Sequence, residues 1–419
     1  MSPAPKTPLS EISKSKLTVL TVIDSLLPGG AERSLLSMLP GLSEQGIDLK
    51  LVCLKESQQV NLEAEAAEAG FPPLYLAQAP SQGKWYFRLP RWAWELRQLV
   101  KKEKPDLVHS TLFQSGLACR LALLNLGVPL LSSVVNMDYS PERAQDPNIK
   151  GGVLATHIKL KTVQLINRLT AGLVTHFHAV TPAVKAETTK HLGVPPNRIS
   201  VVFRGREGGR PITRGPREKI RKSLKLSPTT KLILTVGRHE YQKGQIYLIQ
   251  ALAEADLHEQ NVHLLVAGRE GTVTNALREA ILELNIQQRV HLLGHRSDIN
   301  ELLLEADVFA LPSLYEGAAG ALLEAMAAEI PIVVSDLPEL QGIVDSRCCV
   351  KVPTRSPKAL CSAISSLLQT PELSKQLVQT ARHRFEEQFL LNNVVKEMAS
   401  LYRRVATTEP SSQRTKRDT

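Results

Sequence analysis

The stretch from Leu311 to Asp336, LPSLYEGAAGALLEAMAAEIPIVVSD, decides the architecture of this chain. An apolar run closes at Leu311, Glu316 and Gly317 follow, a helical period begins at about Ala318, and a second apolar run, PIVV, comes at 331–334. That is the grammar of a strand, a helix and a second, parallel strand. Glu324 falls near two turns into the helix, a rise of roughly 9 Å at 1.5 Å per residue. Such a unit spans a nucleotide sugar well: the helix N-terminus faces phosphate, Glu316 accepts hydrogen bonds from sugar hydroxyls and Glu324 from ribose hydroxyls. A solvent-facing glutamate on an amphipathic helix is the plainer reading of Glu324. Its neighbours are Ala, Leu and Met, however, and a carboxylate among them needs a partner.

The same grammar extends in both directions. Upstream, strands are expected at 231–236, 262–267, 290–293 and 307–311, separated by helical segments. A first series precedes them: LTVLTVI at 17–23, a helix pattern from Ala31, DLKLVCL at 48–54, DLVHS at 106–110, a helical pattern to about 126, and PLLSSVV at 129–135. Apolar runs without alternation suit parallel strands covered on both faces. Between the series, RGREGGRPITRGPREK at 204–219 has no apolar period and reads as a linker. The fold class is therefore α/β, two doubly wound, Rossmann-like domains facing across a cleft, with ligands beyond the carboxyl ends of the strands. The expected divisions are a tail at 1–15, an N-terminal domain at 16–203, the linker, a C-terminal domain at 220–390, a C-terminal helix at 391–405 and a polar tail at 406–419.

Composition narrows the function. The chain has 419 residues, 43% hydrophobic and 22% charged, enough apolar material for two cores, which excludes small disulfide or zinc scaffolds. A formal charge of +10 suits a polyanionic partner: nucleic acid, an anionic membrane or a phosphorylated small molecule. The five cysteines show no paired metal spacing and suit a reducing compartment; Cys348 and Cys349 read as a buried strand terminus. No leader or spanning stretch is evident, so a soluble or peripherally bound cytoplasmic protein is expected.

Two further loops carry chemistry. In LLPGGAERSLL at 26–36, Gly29 and Gly30 let backbone turn tightly and approach a ligand at a helix start, although a simple strand-to-helix turn has the same sequence. In TVGRHEYQKGQIYLIQAL at 235–252, a strand ends at Gly237, Arg238 follows, and Lys243-Gly244 precedes a helix. Two cations on one such loop can clamp a diphosphate, Arg through its fork and Lys as a point charge. His109, His176 and His178 lie near strand ends; His109 is the better acceptor-side candidate, but a lone histidine there is more often a satisfied core residue.

The set PGGAE, VGR with a following KG, a strand ending in VAGR, LLGHRSDI, and E-x7-E within EGAAGALLEAMAAEIPIVVSD resembles the retaining nucleotide-sugar glycosyltransferases of family 4 from about residue 16 to 405. The resemblance implies the GT-B architecture, the acceptor mainly on the N-terminal side, the donor on the C-terminal side, and neither metal nor cofactor beyond a UDP- or GDP-linked sugar co-substrate. It implies Arg238 and Lys243 as the donor-phosphate clamp, Glu324 as ribose ligand, Glu316 as sugar-hydroxyl ligand and Gly30 as backbone near the diphosphate. Gly29, Gly237, Gly317, Ala318 and Ala319 complete the donor side, and His295 with Arg296 is expected among the contacts that choose the base. Same-face displacement would follow, its main task being to stabilise the departing diphosphate.

The chain departs from the family pattern at several points. Ala318-Ala319 stands for Phe-Gly, Arg204-Gly205-Arg206-Glu207 for Asn-Gly-Val-Asp, Asn136-Met137-Asp138 for a frequent histidine, and His109-Ser110-Thr111 for His-x-His; a common glutamate falls on Gly342. These changes blur the acceptor side, where His109 and Asn136 are the candidates. An epimerase of the same architecture and a non-catalytic scaffold are the competing readings. The three tryptophans, Trp85, Trp92 and Trp94, lie in the basic segment 83–104, which suits either a helix on an anionic membrane surface or ordinary core. A lipid-linked or glycan acceptor is expected, and nucleic acid is not, because the basic residues are not interleaved with aromatics on a sheet.

Overall fold

A computed structural model describes residues 16–56, 61–76, 85–136, 142, 145–146, 152–208, 219–317 and 319–408. The N-terminal tail, residues 409–419 of the C-terminal tail, most of the linker, Ala318, Met137 and Asp138 lie outside the described residues.

The N-terminal sheet has seven strands, all parallel: β1 Leu17–Ile23, β2 Ile47–Cys53, β3 Leu74–Tyr75, β4 Leu107–Thr111, β5 Leu130–Val134, β6 His176–Ala179 and β7 Ile199–Val201. Their order is β3-β2-β1-β4-β5-β6-β7. The C-terminal sheet has six, also parallel: β8 Lys231–Val236, β9 Val262–Ala267, β10 Val290–Gly294, β11 Val308–Leu311, β12 Ile332–Ser335 and β13 Val350–Val352, in the order β10-β9-β8-β11-β12-β13. In each sheet the order reverses beside the first strand, between β1 and β4 and between β8 and β11. Crevices at such points receive ligands. The loops singled out above leave β1, β8 and β11, so both domains present them at their switch points.

The helices that matter are α1 Gly30–Glu44, α2 Leu89–Glu103, α3 Phe113–Ala122, α4 Gly152–Thr170, α5 Gln245–Ala253, α6 Gly320–Ala327 and α7 Leu391–Ala406. Strands β11 and β12 are buried throughout, as continuous apolar runs require when helices cover both faces. The C-terminal helix leaves its own domain. Val394, Val395, Met398, Ala399, Leu401, Tyr402 and Val405 of α7 form one core with Val19, Met38, Leu42, Ile47, Leu107, Leu131 and Val202 of the N-terminal domain.

The chain therefore crosses between domains twice, and the crossings are bonded to each other. Arg206 N donates to Phe389 O at 2.9 Å and Leu391 N to Arg206 O at 2.8 Å. Gly205 permits this approach, since a Cβ there would stand 2.8 Å from Leu391 Cα.

Candidate active site

Helix α6 begins at Gly320, two residues later than its periodicity suggests, so Glu324 lies about one turn into it rather than two. The cause is Gly317, packed against the N-terminal domain: a Cβ there would collide with Val135 O and stand 2.7 Å from Asn136 Oδ1. The chain must clear that contact before it can wind. Ala319, the residue before the helix, is buried in the C-terminal core, whereas Ala318 lies outside the described residues.

Glu316 is 3% exposed, and its Oε1 accepts from Lys243 Nζ at 2.6 Å and from Ser313 Oγ at 2.6 Å. Lys243 ends a short 3-10 turn, Tyr241–Lys243, and its stem runs over Gly237, where a Cβ would meet Cδ at 3.2 Å. Gly244 follows with φ +59°, the left-handed region glycine favours, so the chain can turn directly into α5. Lys243 and Arg238 are thus not a matched pair. Lys243 is held by Glu316, while the Arg238 side chain is 60% exposed and 3.8 Å from Glu240.

Glu324 has the partner its surroundings require: Arg206 Nε donates to its Oε1 at 2.8 Å. The linker arginine and the proposed ribose ligand are therefore a pair, which sequence did not link. Gly29 and Gly30 stand at the start of α1 with Gly30 exposed to the cleft, and His295 is exposed just beyond β10. Arg269 Nη2 donates to Pro28 O at 2.6 Å, joining the domains beside the Gly29-Gly30 turn.

On the acceptor side the structure separates the two candidates. Asn136 is exposed in the cleft against Gly317. His109 is not in the cleft at all. It is 1% exposed, with Nδ1 on Tyr402 Oη at 2.7 Å and Nε2 on Ser133 Oγ at 2.6 Å; Ser133 Oγ also meets His178 Nδ1 at 2.7 Å, and His178 Nε2 donates to Val202 O at 2.9 Å. Burial pushes His109 down to about 3 and His178 down to about 4. With both ring nitrogens committed, His109 holds α7 on the sheet and is no acceptor-side base.

Three residues at the cleft, Asp24, Glu32 and Glu339, were not singled out as site candidates, and a fourth, Arg204, stood in a departure whose guanidinium could serve phosphate or brace the hinge. Asp24 directly follows β1, accepts from Ser115 N at 2.7 Å, and burial raises its carboxyl. Burial likewise raises Glu32 and Glu339, the latter 4% exposed and beside Glu316. Arg204, 8% exposed, lies against Gly30. Glu32 sits inside the quoted PGGAER, and Arg204 in the departure from the family pattern. Glu339 is three residues before the position where the family register looked for a glutamate, Gly342, which instead packs on Pro182 and Phe203.

The tryptophan segment divides. Trp92 is fully buried core and Trp85 packs edge-on against Phe113, so these two are not membrane-facing, while Trp94 is 62% exposed and Phe87 76%.

Comparison with known proteins agrees with this geometry. The family of Glycosyl transferases group 1 matches residues 216–384, and the Glycosyl transferase 4-like domain matches 29–205. A UDP-Gal:alpha-D-GlcNAc-diphosphoundecaprenol alpha-1,3-galactosyltransferase of Escherichia coli is 28% identical over 77% of this chain and 80% of its own length. An uncharacterized glycosyltransferase of Methanocaldococcus jannaschii is 29% identical over 54% of this chain, the match spanning 58% of that relative. Among solved structures, Anabaena HepE in complex with UDP and glucose superposes with a TM-score of 0.77 at 17% identity, covering 92% of this chain and 99% of that one. Sucrose-phosphate synthase from Thermosynechococcus elongatus gives 0.77 at 18% identity, covering 93% and 99%.

Proposed function

The chain belongs to the family 4 glycosyltransferases of GT-B architecture, and we propose that it moves a hexosyl-type sugar from a UDP- or GDP-linked donor to a hydroxyl of a glycan or lipid-linked acceptor, with retention of anomeric configuration and without a metal ion. The observation that carries this reading is the pair Glu316 and Glu324 flanking the start of α6, with Lys243 brought onto Glu316 from the loop after β8. A buried carboxylate held by a lysine and a serine is fixed in place to accept from a sugar hydroxyl, and Glu324 keeps Oε2 for the ribose. Two names support the donor and acceptor classes: the Escherichia coli relative is named for UDP-Gal and a diphosphoundecaprenol-linked sugar, and HepE was crystallised with UDP and glucose.

In this reading the bond from the anomeric carbon to the phosphate oxygen breaks, and its electron pair leaves with the diphosphate. Arg238 and Lys243 stabilise the growing negative charge, and the departing phosphate takes the proton of the incoming hydroxyl on the same face. Electrostatic stabilisation of this kind is commonly the largest single contribution to rate. Backbone at Gly30 and Gly237 can approach the donor without a Cβ in the way, His295 and Arg296 border the base, and Asn136 is the acceptor-side side chain against Gly317.

Among the described residues no helix is long and apolar enough to cross a membrane. Peripheral contact with an anionic membrane surface is part of the proposal, carried by Phe87, Tyr86 and Trp94 with Arg88 and Arg91 at the start of α2. Exposed Ile158, Leu165 and Leu169 of α4 lie in the same helical layer, beyond α3.

The test is a panel of UDP- and GDP-sugars with polyprenyl-diphosphate glycans as acceptors, the product's anomeric configuration being read by NMR. Transfer with retention is expected, and Glu324→Gln should weaken nucleotide binding. Neither transfer nor hydrolysis with any donor, together with no nucleotide-induced rise in melting temperature, would remove the reading. Phe87→Ser with Trp94→Ser should release the protein from anionic liposomes; undiminished binding would refute the membrane contact.

A further inference from the structure

The linker residue Arg204 is the odd charge in the molecule. It is 8% exposed, yet among the described residues its guanidinium makes neither a hydrogen bond nor an ion pair. A buried cation without a bonded partner is a costly arrangement, retained where something charged is to arrive. Burial, and then the neighbouring Arg206, bring Arg204 down to about 10, so it stays a cation at neutral pH.

Its position says what would arrive. Arg204 Nη1 would stand 2.9 Å from a Cβ placed on Gly30, the first residue of the fifteen-residue helix α1. The N-cap, Gly29, has no side chain; the Glu32 carboxylate of the first turn folds back over it and accepts from its own backbone N–H, while burial raises that carboxyl and so eases its neutralisation as an anion approaches the remaining amides. A guanidinium beside the positive end of a helix is repelled, and both are satisfied at once by an anion. Glu32 in the first turn and Glu316 across the cleft attract Arg204 electrostatically without bonding it. The exposure of Gly30 leaves the approach open from the cleft.

The linker treats the other domain in the same way. Arg206 lies against Gly320, the first residue of α6, while its Nε holds Glu324. Two arginines, two residues apart and pinned by the paired crossings, therefore stand at the glycine-led N-terminus of one helix from each domain. Neither can swing out freely, because Gly205 between them is pressed on Leu391.

We propose that Arg204 is a donor-diphosphate ligand contributed by the interdomain linker, completing with the N-terminal amides of α1 a site for the distal phosphate, the one that carries the sugar. The assignment rests on the donor reading given above and adds to it a residue outside the loop of Arg238 and Lys243. As the sugar–phosphate bond breaks, Arg204 faces the oxygen that receives the electron pair. Arg206 remains on Glu324, whose Oε2 is left for the ribose.

Calorimetric titration of the full chain with nucleoside diphosphate, nucleoside monophosphate and inorganic pyrophosphate separates the possibilities. Arg204→Met should weaken diphosphate and pyrophosphate binding about ten- to a hundred-fold, the range for a lost charged hydrogen bond. Monophosphate binding should stay within about three-fold, and Arg204→Lys should recover part of the loss. The ligand-free Arg204→Met protein should melt no lower than the wild type, because the change removes an unpaired buried charge. Undiminished diphosphate affinity in Arg204→Met overturns the assignment, and so does equal loss of monophosphate and diphosphate with a lowered melting temperature, the signature of a purely structural arginine. A wild type that binds pyrophosphate through Arg204 but no nucleotide keeps the anion site and removes the donor reading. A wild type that binds none of the three removes both.

Discussion

Replacing Lys243 by Met tests whether Glu316 is held as the geometry indicates. Glu316 is 3% exposed, and Lys243 is the cation in direct contact with it, Nζ to Oε1 at 2.6 Å. Removing one partner of a buried pair leaves the other charge uncompensated, at a cost of about 3–5 kcal/mol. The electrostatic attraction of Arg204 for Glu316 and the remaining bond from Ser313 place the expected loss at the lower end. For a domain of this size, about 3 kcal/mol lowers the melting temperature by about 6–12 °C. Glu316→Gln should cost only about 1 kcal/mol, since the amide oxygen still accepts from Ser313 and the lysine, 24% exposed, reaches water. The double variant should then melt close to Glu316→Gln alone. Scanning calorimetry of the three variants gives the stabilities and sugar-transfer assays give the rates. Stability is expected to return in the double variant while transfer does not, which separates the packing role of the pair from its role on the donor. A Lys243→Met protein that melts within about 2 °C of the wild type would refute the reasoning, because Glu316 would then have no need of its cation.

Other expectations follow from the same coordinates. His109 and His178 are held at about 3 and about 4, below the value near 6.5 of an unfolded chain, so unfolding takes up protons; the stability they confer is fully present above pH 6.5 and is lost as pH falls toward 4. Each contributes up to about 1.4 kcal/mol per pH unit in that window. Asp24, Glu32 and Glu339, raised by burial, act in the opposite direction, so the informative quantity is the wild type minus His109→Gln; urea midpoints at pH 7.5 and 5.0 should fall less in the variant, and equal falls would contradict the assignment. Tyr402→Phe leaves buried His109 Nδ1 without its partner and should cost about 1–3 kcal/mol with transfer intact at neutral pH, as measured by denaturant unfolding and activity. Gly244→Ala should lower both stability and donor affinity, because φ +59° strains any Cβ and the added atom meets Pro312 O; wild-type affinity would show that Lys243 is placed without that turn.

The sequence was most legible where one rule dominates. Strands β1, β8 and β9 coincide with their predicted runs to the residue, because a strand covered on both faces is mostly apolar along its length and stands out from its flanks, even with Thr18, Thr21, Lys231 and His263 within the runs. β6, β7 and β13 were missed because three or four residues carry too little pattern; in β6, HFHA, two positions are histidines whose burial depends on bonds made elsewhere. His109 shows the general difficulty. Its partner Tyr402 is 293 residues away on a helix that returns from the other domain, and no local spacing announces that. The carboxylates Glu316 and Glu324 were legible as a pair because E-x7-E is local. Arg206 was visible as a departure, but that it pairs with Glu324, 118 residues on, depends on where the linker crosses. Trp92 and Trp94 lie two apart on one helix and so face opposite ways, which decides one for the core and leaves the other outside.

The arrangement of the crossings bears on how the cleft can work. Among the described residues, two kinds of contact between the domains bear on this, besides the packing of Gly342 on Pro182. At the linker and α7 they are apolar and deep: the core shared by α7 with β1, β4 and β5, and the bonded strands at Arg206 and Leu391. At the cleft mouth they are small and polar: Gly317 on Val135 and Asn136, and Arg269 on the Pro28 carbonyl. Parting a polar contact exchanges it for water at little net cost, whereas parting the α7 core exposes apolar area at about 25 cal/mol per Å². Separation of the domains therefore costs least at the mouth and most at the linker, which makes the linker the pivot. Arg204 and Arg206 sit on that pivot. Side chains there would change position least in any opening about that pivot, so a ligand they held would keep its charge partners. On the assignment proposed for Arg204, a buried cation without a bonded partner at this pivot, with Arg238 60% exposed on the loop after β8, would let an anionic donor be held before the acceptor.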